Sequence, residues 1–459
     1  MAPAAAPALT PGMGPDAFGA LQHSAGNRAV TTFVQRANAG GNAQGEEKER
    51  TQAVNARVII QPWYASGDQF GIAATLIDDP EKHVYITHGH DERQESAARN
   101  VAKFYEDSGI ASVRVHVVEA VKQGDAKKQA KKDAKERGAD VSNSEIQPLG
   151  TGTTYVGAKF SDEMRGKVRE AWKLNGDQKT AHEKDRKVEE WLGAKGVDAA
   201  GRNIAILWSR FSGKSGEVHL EHDTGYLGIA QIIAGLSSLD LVLIVGDAAP
   251  KNKKQAAGRA PKYDAIAAAY NGTDEGKGDE KGGKVKVPGF GAKVVNLTGF
   301  WNDPGFKEWG GESRTGQFLL FDYLNRHAAA ARHLGFRSGN LEAMALMGFT
   351  VRYMEEPGSI GGDRMEKWHA HPQGSGETRG GGTAPGYERL AVEFPPTRSG
   401  RRQRALPEEV REKVQKNAQW YQDRLEQNPE DREAKSGLKG FSDKDLADID
   451  AYLLGQGTR

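Results

Sequence analysis

Between Ala329 and Glu355 the chain reads AAARHLGFRSGNLEAMALMGFTVRYME, a pattern that predicts a loop, a short helix and a strand. Asn340 suits the N-cap position, because its side-chain oxygen can accept hydrogen bonds from amides of the first helical turn. Strong helix formers follow it, and Gly348 is where the helix is expected to end. The strand is expected at Phe349–Tyr353.

The turn before this helix, Arg337-Ser338-Gly339, is polar. A helix N-terminus offers amides without partners and the positive end of a dipole, so the turn suits an anion or a sugar hydroxyl. The word LEAMALMGFTV resembles the nucleotide-sugar motif near the end of the second Rossmann-like domain in GT-B glycosyltransferases. That resemblance implies that Glu342, on the short helix, holds the ribose of the donor.

Apolar runs elsewhere in the chain predict further buried strands, separated by helical patterns. These strands are Arg57–Gln61, His83–Thr87, Val113–Val118, Asn203–Trp208, Leu239–Val245 and Val294–Gly299, with an edge strand at Ala391–Phe394. Alternating strands and helices favour parallel sheets. The first run leads into WYASGDQFG, where Gly67 and Asp68 lie in the kind of turn that opens a Rossmann-like unit beside a nucleotide.

The predicted fold is α/β, with two Rossmann-like domains facing one cleft as in the GT-B arrangement. At about 150 residues per domain, 459 residues accommodate two domains with tails. The expected division is a leader and linker at 1–56, a first domain at 57–195, a second, nucleotide-binding domain at 196–357, and a Gly-rich loop with a C-terminal helical appendage at 358–459. The last helix, Ser442–Leu454, has Ser442 and Asp445 as a capping box.

The composition limits the classes of function. Lys and Arg total 63 against 62 Asp and Glu, so no net charge favours nucleic acid or an anionic membrane. Without Cys, disulfides, thiolate metal sites and a Cys nucleophile are excluded. No apolar run approaches the ~20 residues of a membrane span, and the N-terminus lacks the regions of a Sec signal. We therefore expect synthesis in the cytoplasm, no nucleic-acid partner and no membrane span.

The N-terminal segment carries a separate signal. Residues 1–19 are rich in Ala, Pro and Gly and are expected to be disordered. Leu21–Arg36 reads LQHSAGNRAVTTFVQR and resembles the leader of cargo proteins of extracellular contractile injection systems. The resemblance implies association with components of an injection particle, and export or injection as cargo. The alternative is a solvated tail helix. Asn38–Asn55 is polar and is expected to be a flexible linker.

Two cations follow the first predicted strand of the second half. Arg210 ends that strand, and Lys214 lies in the next turn. Ligands of open α/β sheets bind at the carboxyl ends of strands, where such charges can neutralise a diphosphate. The word ILWSRFSGK resembles the phosphate-binding segment of GT-B enzymes, which implies that both residues contact the donor diphosphate. Many members carry a second Glu eight residues before the ribose Glu; here Leu334 stands there, which leaves the sugar and the stereochemistry open.

The loop VHLEHDTG precedes the next predicted helix and contains Glu221 and Asp223. Either carboxylate could act as an acid or base, or could bind acceptor hydroxyls. The alternative is that Asp223 or Thr224 only caps the helix.

The second predicted strand ends in THGHDE, with His88 and His90. This word resembles the metal-binding turn of metallo-β-lactamase-like hydrolases, but the Asp stands one position early and the last His is missing, which argues against a two-metal hydrolase. HVYITHGHDE also resembles the first strand and loop of TIR-like domains, some of which cleave NAD. In a GT-B arrangement, either His would face the cleft and could be the general base for the acceptor.

The favoured interpretation is a glycosyltransferase that uses a UDP- or GDP-linked sugar, needs no bound metal, and modifies an unidentified acceptor as toxin-like cargo. Two alternatives remain open. One is a TIR-like or other toxin that hydrolyses NAD or nucleotides, and the other is a non-catalytic component of the injection particle.

Overall fold

The computed structural model describes residues 43–65, 67–174, 178–211, 223–248, 263–272, 290–311, 313–359, 362–369, 384–394 and 406–456. In these residues the chain forms two parallel β-sheets surrounded by helices, which confirms the α/β class predicted from the alternating pattern. None of the helices described there is both long and apolar enough to cross a bilayer.

The first part of the chain builds a four-stranded sheet. Its elements are α1 (Ala43–Asn55), β1 (Val58–Pro62), α2 (Gln69–Asp78), β2 (His83–His88), α3 (Glu92–Asp107), β3 (Val115–Glu119), α4 (Gln123–Glu136), β4 (Ile146–Pro148), α5 (Thr151–Lys159), α6 (Asp162–Ala171) and α7 (Gln178–Ala194). The strands are all parallel and lie in the order β3-β2-β1-β4. β1 lies inside the sheet, as expected for a strand whose first three residues are all apolar and buried.

The second part of the chain builds a six-stranded sheet. Its elements are β5 (Asn203–Ser209), α8 (Gly225–Ala234), β6 (Leu241–Gly246), α9 (Tyr263–Asn271), β7 (Lys293–Asn296), α10 (Arg314–His327), β8 (Ala330–Phe336), α11 (Gly339–Leu346), β9 (Thr350–Glu355), β10 (Tyr387–Ala391), α12 (Glu408–Gln427), α13 (Arg432–Gly437) and α14 (Asp443–Leu453). The strands are all parallel, in the order β10-β9-β8-β5-β6-β7. Counted from β5, this is the Rossmann order 3-2-1-4-5-6, whose switch point lies between β5 and β8.

The stretch 329–355 differs from the predicted loop, helix and strand, because its first residues form β8. Leu334 and Phe336 are buried on one face of this strand, and His333 is fully buried on the other. The sequence hid the strand because a His interrupts its apolar pattern. Trp208 donates to His333 Nδ1 at 3.2 Å, and burial lowers the pKa of His333 to about 3, so the imidazole is neutral in the core.

Helix α11 begins earlier than predicted. Gly339 is its first residue and Ser338 occupies the N-cap position without a side-chain cap. The prediction that Asn340 caps the helix is therefore wrong; its Oδ1 instead accepts from Arg314 Nη1 at 3.1 Å. Gly348 has a φ of 85° and follows the last turn, which confirms the predicted end of the helix.

Part of the predicted linker is a helix. Residues 43–55 form α1, in which Ala53 is buried and Glu49 accepts a hydrogen bond of 3.1 Å from Thr154 of α5. The linker prediction is wrong for these residues, because one face of this polar helix covers α5. The predicted leader, Leu21–Arg36, lies outside the described residues.

The C-terminal segments belong to the second sheet. The edge strand is Tyr387–Ala391 rather than Ala391–Phe394, and it pairs with β9. Phe441, just before α14, and Leu446, within it, are buried in the same apolar cluster as Leu390 of β10. The predicted helical appendage therefore covers one face of this sheet.

Apolar side chains join the two sheets in one cluster. The ring of Phe70, from α2, lies 6.4 Å from Trp172 and 6.0 Å from Phe318 of α10. An ion pair crosses the same boundary, since Arg169 of α6 donates to the buried Asp322 of α10 at 2.6 Å. These contacts fix the position of one sheet against the other.

Replacing Ser442 by Ala is expected to lower the free energy of unfolding by about 1 kcal/mol. Ser442 Oγ accepts from the Asp445 amide at 3.2 Å, and Asp445 accepts from the Ser442 amide at 3.0 Å, which confirms the predicted capping box. Urea denaturation followed by circular dichroism measures the change. An unaltered midpoint would contradict this contribution of the cap.

Candidate functional site

Glu342 is the centre of the candidate site and lies in the first turn of α11. Its side chain is 3% exposed, and burial raises its pKa to about 7; Arg364 opposes the rise, Asp68 adds to it, and Arg337 and Arg210 oppose it. Its Oε2 has no hydrogen-bond partner among the residues that the structure describes. A buried carboxylate oxygen without a donor is costly, so hydroxyl groups of a ligand would be stabilising here.

The strand order places this helix at the switch point of the second sheet. α11 starts directly after the carboxyl end of β8, and β8 pairs with β5. Open α/β sheets bind ligands outside the carboxyl ends of the strands at this point. The first turn of α11 also leaves amides without intrahelical partners.

The first sheet reaches the same place through the turn after β1. A Cβ atom on Gly339 would lie only 2.5 Å from the carbonyl oxygen of Gly67, so the two turns touch backbone to backbone. Asp68 follows at the N-cap position of α2, where its side chain makes no capping hydrogen bond. The carboxyl ends of β1 and β8 therefore meet at one location.

Arg364 links the two turns electrostatically. It belongs to a 3₁₀ helix, Gly362–Trp368, between β9 and β10. Its Nη1 forms an ion pair with Asp68 Oδ1, and its Nη2 lies 3.3 Å from Glu342 Oε1. One guanidinium group thus contacts a carboxylate from each sheet.

Arg210 reaches the site from the end of β5. Its Nη1 donates to the carbonyl oxygen of Arg337, and its backbone amide donates to Thr224 Oγ1 at 3.0 Å. Burial lowers the pKa of Arg210, while Asp223 opposes this shift, Arg337 adds to it and Asp247 opposes it. The group remains a cation because an arginine titrates far above neutral pH.

The other residues of the predicted polar turn contribute unequally. The Arg337 guanidinium pairs with Glu355, at 3.0 Å between Nε and Oε1, so its charge is directed toward the end of β9. The Ser338 amide lies 3.3 Å from the hydroxyl of Tyr387. Arg337 therefore contributes through its carbonyl oxygen, which accepts from Arg210, and through the electrostatic effect of its charge on Glu342.

Three residues of the site were missed by the sequence analysis. Arg364 lies in a Gly-rich stretch that was expected to be a loop, and Tyr387 precedes the predicted edge strand. Arg314 is exposed, starts α10 and donates to Asn340. No sequence pattern marked them, because tertiary packing alone brings them to α11.

The remaining predicted residues of the second half lie between β5 and α8. Lys214 and Glu221 lie outside the described residues. Asp223 acts electrostatically on Arg210. Thr224 occupies the N-cap position of α8, but its hydroxyl donates to the carbonyl oxygen of Trp208 in β5 at 3.3 Å and makes no capping hydrogen bond, so the capping alternative for Thr224 is wrong.

The two histidines make local contacts away from Glu342. His88 is buried with Nδ1 2.7 Å from the carbonyl oxygen of Gly89, and the exposed His90 pairs with Glu119 at 2.5 Å. His88 is the last residue of β2 and His90 follows it, on the carboxyl side of the first sheet. No described contact links either ring to the Glu342 cluster.

A cavity of about 470 Å³ lies at the opposite, amino edge of β8 and β9. Two of its arginines, Arg169 and Arg326, pair with Asp322 at 2.6 and 2.8 Å, and Arg326 also pairs with Asp185 at 2.7 Å. Their charges are therefore already compensated, and the cavity lacks the unsatisfied carboxylate that distinguishes the Glu342 cluster.

Neither a search for metal-binding groups nor a comparison with known proteins assigns a function to this site. Across the described ranges, no group of three or more His, Asp or Glu side chains is placed to hold a metal ion. No protein-family model matches the chain. No curated protein sequence is significantly similar to it.

Proposed function

We propose that this protein is a glycosyltransferase that takes its sugar from a UDP- or GDP-linked donor. The observation that supports the proposal most is the near-complete burial of Glu342 in the helix that begins at the Rossmann switch point, with one oxygen that has no partner within the described ranges. In this reading its carboxylate accepts hydrogen bonds from the two ribose hydroxyls. The Arg210 guanidinium, which reaches the same turn, pairs with the diphosphate.

The meeting of two parallel sheets supports the same proposal. The turn with Gly67 and Asp68 touches the first turn of α11, so an acceptor bound by the first sheet would lie near a donor bound by the second. The reaction would transfer the anomeric carbon from the diphosphate oxygen to an acceptor oxygen. Arg210 would stabilise the negative charge that develops on the leaving diphosphate.

Incubation with a panel of nucleotides tests the proposal. The full chain is mixed with UDP- and GDP-linked sugars and, separately, with NAD, and mass spectrometry follows the products. Release of UDP or GDP, with transfer of the sugar to water or an added acceptor, supports a glycosyltransferase. Cleavage of NAD alone would favour the hydrolytic alternative, and no turnover or nucleotide binding would favour a non-catalytic particle component.

The role as particle cargo is a separate proposal that depends on the leader resemblance at Leu21–Arg36. Fusing residues 1–42 to a fluorescent protein in a cell that makes an injection particle tests it. Co-purification of the fusion with particles supports loading, provided that a fusion with a scrambled leader does not co-purify with them. Equal recovery of both fusions would contradict it.

Removal of divalent cations is expected to leave donor turnover unchanged within about twofold, since arginines and a helix N-terminus can supply the positive charge that a metal otherwise provides. The measurement compares rates in excess chelator and in added magnesium, manganese or zinc. Loss of activity in chelator with recovery in one metal would contradict the metal-independent mechanism.

A further inference from the structure

The segment that carries Arg364 leaves the second sheet and is anchored on the first part of the chain. Trp368 is fully buried and donates from Nε1 to the carbonyl oxygen of Thr153 at 2.9 Å. Lys367 Nζ lies 2.7 Å from Glu49 of α1. The 3₁₀ helix is therefore anchored on α1 and α5 before the chain returns to the second sheet at β10.

Arg364 is the cation that contacts the Glu342 side chain directly. Among the residues that the structure describes, the other charged or titratable groups that face Glu342 are Arg337, Arg210, Asp68 and Tyr387. The Arg337 guanidinium pairs with Glu355, and Arg210 donates to a backbone carbonyl. Because Arg364 holds Oε1, the rotation of the carboxylate is restricted and Oε2 keeps its orientation.

We propose that Arg364 is a positioning residue: by joining Asp68 to Glu342 it fixes the direction of the Glu342 carboxylate toward the ligand's hydroxyls. This inference rests on the proposed function for the identity of the ligand, but not for the contact itself. Asp68 holds the other side of the guanidinium, so the correct orientation of Glu342 depends on the contact between the two sheets. Arg364 thereby makes ligand binding by one sheet sensitive to the position of the other.

Three variants separate positioning from anchoring. Arg364→Gln removes the charge that faces Glu342, Arg364→Lys keeps a charge but lacks the two-pronged geometry, and Lys367→Gln loosens the same 3₁₀ helix without touching Glu342. Two quantities are measured for each variant and for the wild-type protein. One is the titration of the Glu342 carboxyl without ligand, assigned by infrared difference spectra against Glu342→Gln. The other is UDP and GDP binding by calorimetry from pH 6 to pH 8.

Arg364→Gln is expected to raise the pKa of Glu342 and to weaken nucleotide binding at pH 7.5 by about tenfold, because the charge-assisted contact that orients the Glu342 carboxylate is lost. Arg364→Lys is expected to recover most of the titration but less of the binding, and Lys367→Gln to resemble wild type in both. Thermal unfolding of each variant shows whether it is folded.

An unchanged Glu342 titration in folded Arg364→Gln would overturn the inference, as would an equal effect of Lys367→Gln. If wild type binds neither nucleotide, the proposed function fails, and the titration without ligand still decides the role of Arg364. If folded Arg364→Gln binds nucleotide more tightly than wild type, Arg364 obstructs nucleotide binding, and the inference is also overturned.

Discussion

Arg210→Ala is expected to reduce kcat for the preferred nucleotide-sugar by about 10²–10³-fold, with a smaller loss of nucleotide affinity. The charge on the leaving diphosphate grows as the bond to the sugar breaks, so a cation at this position stabilises the transition state more than the bound donor. The guanidinium is already oriented by its hydrogen bond to the Arg337 carbonyl oxygen. Steady-state rates and calorimetric Kd values for UDP or GDP measure the two effects.

Arg202 provides a matched control, because it precedes the same strand at its other end. It is 48% exposed and pairs with Asp198 and Asp240, far from the switch point. Arg202→Ala is expected to leave kcat within about twofold, as is usual for an exposed ion pair. If both variants lose equal activity, the effect comes from strain on β5, and Arg210 has no role in the leaving-group step.

The fold was readable from the sequence wherever one physical pattern determined it. Apolar runs such as Asn203–Trp208 and Leu239–Val245 correspond to β5 and β6, because strands buried on both faces need apolar residues throughout. β8 was missed because the buried His333 is polar, and its burial is made possible by hydrogen bonds with Trp208 and Asn325. α1 was missed because only a few residues of a polar helix, including Ala53, face the protein.

The site was readable only where local sequence determined it. The resemblance of LEAMALMGFTV to the GT-B motif pointed to Glu342, and a strand end pointed to Arg210. Arg364 lies 22 residues beyond Glu342 and contacts it only because its segment folds back onto helices α1 and α5 of the first part of the chain. Such a contact depends on tertiary packing, which leaves no periodic signal. The cap predicted at Asn340 was wrong for a similar cause, since its side-chain oxygen accepts a hydrogen bond from Arg314 of α10.

Glu342→Gln is expected to stabilise the free protein at pH 8 and, at the same pH, to weaken UDP or GDP binding by about tenfold or more. The pKa of Glu342 is raised from 4.5 to about 7 in the folded protein. Between these values the folded state keeps a proton that the unfolded state releases, so the free energy of unfolding falls as the pH rises through this window. At about 1.36 kcal/mol per pH unit, the full loss is about 3 kcal/mol.

Gln is neutral at every pH, so the variant should lack this pH dependence and exceed wild type in stability above pH 7. Its effect on binding has the opposite sign, because a neutral amide replaces a charge-assisted acceptor worth about 1.5–3 kcal/mol per hydrogen bond. Wild-type affinity should likewise fall as the pH drops below 7. Urea denaturation and calorimetry at pH 5, 6, 7 and 8 measure both quantities.

Glu388→Gln, in the partly exposed ion pair between Glu388 of β10 and Arg352 of β9, is the matched control and should change neither quantity by more than about 1 kcal/mol. A residue that lowers stability yet strengthens ligand binding is retained for function rather than for folding. If Glu342→Gln instead destabilises the free protein at pH 8 and leaves nucleotide binding unchanged, Glu342 is a structural residue of the helix. The switch point of the second sheet would then lack its ribose contact, and the glycosyltransferase proposal would lose its strongest support.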